Sequence, residues 1–265
     1  METEANRSAV KEPGKTVWRD TYRLHSYEVD QFGEARPHVL VNFLLDSAWA
    51  HVRDSSFSYE TLVGQGQFWV LSRLYASLHR TPQWNDEVVI ETWGKGTDRL
   101  FALRDFEAFS PSGDKLVSAS SCWLIVDRKT LRPQRLDRLG ERFPIPAGRQ
   151  AVSTPLEKIA ERPVEGHGIR YSAVFSDIDV NHHVNSSRYV QWIMDSFPRE
   201  ILTGRRMSSF EINFLAEAQI QDAVAVFTQA DGDRYFSEIR RDSDGVALCR
   251  ALVAWSDRRD PASTQ

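Results

Sequence analysis

The sequence predicts an α+β protein built as two tandem units, each a long helix wrapped by an antiparallel sheet. Three observations carry that expectation. One apolar helical pattern begins at Pro37 and a second follows Asn185. Each leads into alternating apolar runs separated by turn signals. The two helices also align: Val41-Asn42-Phe43-Leu44-Leu45-Asp46-Ser47 lies over Val190-Gln191-Trp192-Ile193-Met194-Asp195-Ser196. An apolar helix and a meander of strands made twice imply two packed helix-and-sheet layers.

In chain order, residues 1–16 hold acidic residues and no apolar segment, so they are expected to be a flexible tail rather than a signal or transit peptide. A cytoplasmic protein follows from that expectation. Residues 17–30 are strand-like, with Trp18, Tyr22 and Leu24 among polar partners. Pro37 suits the first turn of a helix reaching about Arg53, with Leu40, Phe43, Leu44 and Trp49 at apolar positions. Strands are expected over 68–80, 87–93, 99–109 and 116–127. Pro82-Gln83-Trp84-Asn85, Gly94-Lys95-Gly96 and Pro111-Ser112-Gly113-Asp114 are the turns between them.

From Arg128 to Gly166 this rhythm stops. The stretch is rich in Arg, Pro and Glu, includes Phe143-Pro144-Ile145-Pro146, and predicts a surface connector. The earlier order then restarts: a strand into Phe175, a polar turn, a helix to about Phe197, and strands over 210–217, 223–230, 234–240 and 246–255. The chain thus divides into a first unit over 17–135, a connector over 136–166 and a second unit over 167–258.

At 265 residues, with 41% hydrophobic and 26% charged residues, the composition is that of a globular protein with a sizeable core. A net charge of −4 argues against general nucleic-acid binding. No apolar stretch approaches spanning length, so no membrane insertion is expected. Cys122 and Cys249 sit in alternating apolar runs and read as buried thiols rather than a disulfide.

Chemistry concentrates in the second unit's polar turn, where Asp177, Asp179, Asn181, His182, His183 and Asn185 precede the helix. On an extended approach alternate residues share a side, which groups Asp179, Asn181 and His183 and sends His182 the other way. Asn185, Ser186 and Ser187 are plausible N-caps, so amide, carboxylate and imidazole groups arrive at the helix's positive end. A developing oxyanion can be held there. The first unit has Phe32 and Glu34 opposite Asn181 and His183, so one active site per chain is expected.

Other readings of these residues fail. The Asp-x-Asp-x-Asn opening resembles a calcium loop, but the sixth and twelfth places hold His182 and Arg188. Adjacent histidines on a strand point apart, which argues against a transition metal. Gly64-Gln65-Gly66 and Gly94-Lys95-Gly96 lack the rest of a phosphate loop, and no G-x-S-x-G occurs. Neither a metal nor a cofactor is expected.

The run from Ser176 to Ser196 resembles the signature of acyl-acyl-carrier-protein thioesterases, and the likeness extends over nearly the whole chain. First-half matches include Pro82, Trp84, Asp86, Thr92-Trp93 and the stretch from Trp123 to Thr130. The resemblance implies two fused hotdog units. It also implies catalytic roles for Asp179, Asn181 and His183, and for Glu217 after the F-x-I-x-F-x-x-E pattern. On the residues alone, Glu217 reads as a solvated strand-end carboxylate. Plant members carry Cys beside that Glu; Ala218 stands here, which implies no thiol nucleophile. The acyl chain would lie in the first unit, with Phe43, Leu44, Trp69 and Leu71 among its lining.

The function so implied is hydrolysis of a fatty acyl thioester on acyl carrier protein by a monomer (an internal pseudo-dimer) or a homodimer. An acyl-CoA hydrolase or a non-catalytic acyl-binding module are the alternatives. The pairs Arg205-Arg206 and Arg240-Arg241 are either solvated charge or the place where an acidic carrier is met.

Overall fold

A computed structural model describes residues 16–136, 145–164 and 166–258. Residues 1–15 of the tail and the Phe143-Pro144 part of the connector motif lie outside the described residues. In chain order the elements are β1 (Trp18–Arg23), α1 (Pro37–Val52), α2 (Tyr59–Gly64), β2 (Gln67–Leu78), β3 (Glu87–Asp98), β4 (Phe101–Phe109) and β5 (Lys115–Asp127). The second half has β6 (Ile169–Ser172), α3 (Ser186–Asp195), α4 (Arg199–Gly204), β7 (Arg205–Phe214), β8 (Ala223–Asp231), β9 (Arg234–Arg241) and β10 (Ala247–Asp257).

Apolar alternation along these strands gives one face of a continuous sheet, ordered β1-β3-β4-β5-β2-β7-β10-β9-β8-β6. Read outward from the centre, the two halves repeat the same sequence of elements. They join where β2 and β7 pair antiparallel, with Leu74 opposite Ile212 and Ala76 opposite Phe210. On the apolar face α1 and α3 pack beside each other, and one core cluster runs through Leu40, Leu44, Leu74, Ile90, Ile193, Ile212 and Leu248.

The connector is more than a spacer. Residues 145–164 cross the outer face of the sheet and satisfy polar groups buried there. Ala151 N–H donates to Asp105 (2.8 Å), Ile159 N–H donates to Asn213 (2.7 Å), and Glu161 reaches Arg250, which pairs with the buried Glu238. Ile159 itself packs on Phe236 and Leu252. These contacts pair the buried carboxylates of Asp105 and Glu238 and the side-chain oxygen of Asn213.

Several expected boundaries move. Gly94-Lys95-Gly96 is a bulge within β3 rather than a turn, since the register with β4 shifts there and Gly96 has φ +118°. Gly64-Gln65-Gly66 closes α2, a short helix the sequence pattern did not reveal. The strand from residue 17 stops at Arg23, and the strand towards Phe175 stops at Ser172. Each then enters a one-turn 3₁₀ segment, Ser26–Glu28 or Phe175–Asp177.

Candidate active site

The second unit's polar turn is tighter than an extended approach. Ile178 pairs with Val184, and between them His182 N–H donates to the Asp179 carbonyl (3.0 Å) while Asp179 N–H donates to the His183 carbonyl (2.9 Å). The Asp179 carboxylate accepts the N–H of Asn181 at 2.8 Å and lies 3.5 Å from that of His183. Asp179 therefore shapes the turn through the backbone. His182 takes the left-handed corner (φ +66°) and is exposed, outside the cavity. Separation of the two histidines was the right expectation; its cause is the turn, not strand alternation.

After the turn, Asn185 caps α3 by accepting Ser187 N–H at 2.9 Å. Upstream, the buried Asp177 accepts Val174 N–H (2.9 Å) and pairs with Arg188 (3.2 Å), which ties the approach to the helix. The positive end of α3 thus opens beside Asn181 and His183.

Glu217 arrives from the other side. Strict alternation after Phe214 would keep it on the face of Glu211 and Asn213. Instead the N–H groups of Leu215 and Ala216 both donate to the Leu248 carbonyl, at 2.8 and 3.1 Å. That extra residue turns Glu217 towards the cavity, where Oε2 stands 3.1 Å from His183 Nε2. The loop is held by Tyr189, whose hydroxyl accepts Ala218 N–H at 2.8 Å. Burial pushes the Tyr189 hydroxyl pKa upward, so it stays a neutral phenol. Tyr189 was legible only as an inward-facing helix residue; its hydroxyl partner gave no sequence signal.

Asp179, Asn181, His183 and Glu217 all line one cavity of about 710 Å³. Much of its apolar wall comes from the first half: Phe43, Phe68, Trp69, Leu71 and Trp123. Of the four expected lining residues, Leu44 departs; it faces the helix–sheet core and is 2% exposed. Phe68 was not anticipated, yet its ring centroid lies 6.2 Å from that of His183. A narrower cavity of about 60 Å³ adjoins the first, and Trp49, Trp69 and Trp123 border both.

Cys122 and Cys249 are buried and unpaired with each other, as expected. Burial raises both thiol pKa values, that of Cys122 to about 11, so neither is a ready thiolate. Among the described residues, no three His, Cys, Asp or Glu side chains converge as a metal site.

The first unit repeats the turn with different chemistry. Val29 pairs with Ala35, and the Asp30 carboxylate accepts the N–H groups of Phe32 (2.8 Å) and Glu34 (3.0 Å). Gly33 takes the left-handed corner (φ +76°) that His182 takes in the second. The helix alignment therefore holds through the turn. In place of an imidazole, Glu34 is buried between Arg206 (2.7 Å) and Arg258 (2.6 Å).

Two helix-in-sheet units sharing one sheet, with a His–carboxylate pair at an apolar cavity, define a double-hotdog protein of thioesterase type. The chain belongs to the acyl-ACP thioesterase family: its N-terminal domain matches residues 15–138 and its C-terminal domain residues 161–257. A chloroplastic palmitoyl-acyl carrier protein thioesterase of Arabidopsis thaliana is 26% identical over 269 residues, covering 91% of this chain and 64% of the relative. An acyl-[acyl-carrier-protein] hydrolase of Cuphea viscosissima is 24% identical, covering 90% and 62%. The chain spans less than two thirds of these relatives' length.

Among solved structures, an acyl-ACP thioesterase from Bacteroides thetaiotaomicron superposes with TM-score 0.78 at 28% identity, covering 91% of this chain and 98% of that one. The 12:0-ACP thioesterase from Umbellularia californica shares the fold, with TM-score 0.79 at 21% identity and coverage of 92% and 98%. No helix of the described residues is long and apolar enough to cross a membrane.

Proposed function

We propose that this protein hydrolyses the thioester of a fatty acyl chain carried on acyl carrier protein, in the cytoplasm, releasing the free acid. The observation that carries the reading is the 3.1 Å contact between His183 and Glu217 at the polar end of a large cavity with aromatic and aliphatic walls. The apolar wall takes the acyl tail and the polar end receives the thioester carbonyl. The Asn181 carboxamide and the N-terminus of α3 polarise that carbonyl.

Glu217 then draws a proton from water as the water oxygen adds to the carbonyl carbon. The tetrahedral oxyanion collapses, the carbon–sulfur bond breaks, and the proton passes through His183 to the departing thiolate. Products are one carboxylic acid and one carrier thiol. Asp179 keeps Asn181 and His183 in register through their backbone. Because β2 and β7 join the two units inside one chain, the site needs no second copy.

The test is product analysis with purified protein on acyl-ACP and acyl-CoA of the same chain length. Released acid, with kcat/KM higher on acyl-ACP, is the expected result. A preference for CoA would make the protein an acyl-CoA hydrolase. Binding without release would make it an acyl-binding module.

A further inference from the structure

The internal repeat shows a cation that has a carboxylate partner in one unit and, among the described residues, none in the other. Strand pairing places Gln67 against Asp127 in the first unit and Arg205 against Asp257 in the second. Arg128 and Arg258, one residue further on, therefore occupy equivalent places. Arg258 reaches the first unit's turn, where it pairs with Glu34 at 2.6 Å and lies 3.9 Å over the Phe32 ring. By that symmetry Arg128 lies on the side of the second unit's turn. There the place of Glu34 is taken by His183, already paired with Glu217. The exposed Arg128 guanidinium lies 5.8 Å over the Phe68 ring, one aromatic ring away from His183, and has no carboxylate partner among the described residues.

The loop around Arg128 strengthens the point. Lys129, Arg132 and Arg135 are exposed and equally without carboxylate partners among the described residues. The lone acid of the stretch, Asp127, is consumed in the turn: it accepts the N–H groups of Lys129 (3.0 Å) and Thr130 (2.8 Å) and the Thr130 hydroxyl (3.0 Å). Leu131 is held at φ +54°, a conformation costing roughly 1–2 kcal/mol for a residue with a Cβ. It borders the catalytic cavity and yet is 71% exposed. A strained, exposed leucine, flanked in sequence by cations without carboxylate partners among the described residues, has no role in packing the core.

The arginine pairs singled out from sequence are, by contrast, committed internally. Arg205 pairs with Asp257, Arg206 with Glu34, Arg240 with Glu238, and Arg241 with Asp222 and Asp244.

We propose that the Arg128–Arg135 loop is the surface on which an acidic carrier protein docks while its acyl chain enters the cavity, Arg128 taking a carrier carboxylate as Arg258 takes Glu34. This rests on the acyl-carrier reading above. Rim cations act mainly on encounter, and their effect is screened by salt.

The test compares wild type with R128A/K129A/R132A/R135A on acyl-ACP, acyl-CoA and acyl-pantetheine of one chain length, at low and high salt. The expected result is a fall of about tenfold or more in kcat/KM on acyl-ACP, through KM, with a flattened salt dependence. Acyl-pantetheine turnover stays unchanged, which also shows that the variant folds. Equal losses on acyl-CoA and acyl-ACP would mean that the cations read the arm's phosphate, and would overturn a protein docking surface. Losses on all three substrates, or on none, would overturn it too. A wild type active on acyl-pantetheine but not on acyl-ACP would instead defeat the carrier reading itself.

Discussion

Asp179 and Tyr189 show how single residues shape this site through the backbone: one fixes the turn through N–H groups, the other fixes the Glu217 loop through Ala218. Replacing Tyr189 by Phe leaves a buried N–H without its acceptor, which costs roughly 1–3 kcal/mol. At roughly 2–4 °C per kcal/mol for a chain of this size, a fall in Tm follows. Because the displaced loop carries Glu217, kcat is expected to drop while KM on a given acyl-ACP holds. A Tyr189→Phe variant with wild-type kcat would show that the hydroxyl does not position Glu217. His183 and Asn181 were legible because alternating polar residues before an apolar helix are unusual. Glu217 was legible only by family likeness, since the bulge that turns it inward depends on a carbonyl at Leu248, far along the chain.

At the scale of elements, α1 and the strands facing it line the cavity and hold a half-buried histidine. The indole N–H groups of Trp69 and Trp123 donate to the Phe57 carbonyl (2.9 Å) and the Ser121 hydroxyl (2.7 Å), so the wall between the two cavities is rigid. Trp123→Leu is expected to join them and shift released acids towards longer chains, read by gas chromatography of the products. An unchanged length optimum would exclude the wall as a limit.

At the start of α1, burial, then Arg36 and Arg188, lower the His38 pKa from 6.5 to about 4. The folded state therefore favours neutral His38. Its contribution is full above pH 6.5 and is lost as pH falls through about 4. His38→Gln should lose less stability than wild type between pH 7 and pH 4 in denaturant titrations. Parallel curves would contradict this. Helix positions were readable from 3.6-residue periodicity, whereas α2 and the β3 bulge were not, because glycines punctuate bulges and caps as readily as turns.

The whole molecule is a repeat whose halves have divided their duties. In the first unit Glu34 and two arginines close the turn; in the second, His183 and Glu217 open onto a cavity walled from the first. Glu34→Ala takes the carboxylate from Arg206 and leaves Arg258 only its longer contact to Asp30 (3.7 Å), which should cost about 1.5–3 kcal/mol of stability, with little change in kcat for protein still folded. Duplication could be read from the aligned helices, and the structure carries it through the turns and the sheet order. The connector's partners were hidden, because its backbone N–H groups serve buried side chains that no local pattern reveals.

The central claim is that His183 and Glu217 act together on a carrier-borne thioester. Release of free fatty acid from acyl-ACP by wild type, His183→Ala and Glu217→Gln, alongside their melting curves, tests it most directly. The account predicts steady release by wild type and losses of roughly 10²–10⁴-fold in both variants at near-native Tm. Near-normal turnover in either variant would contradict it.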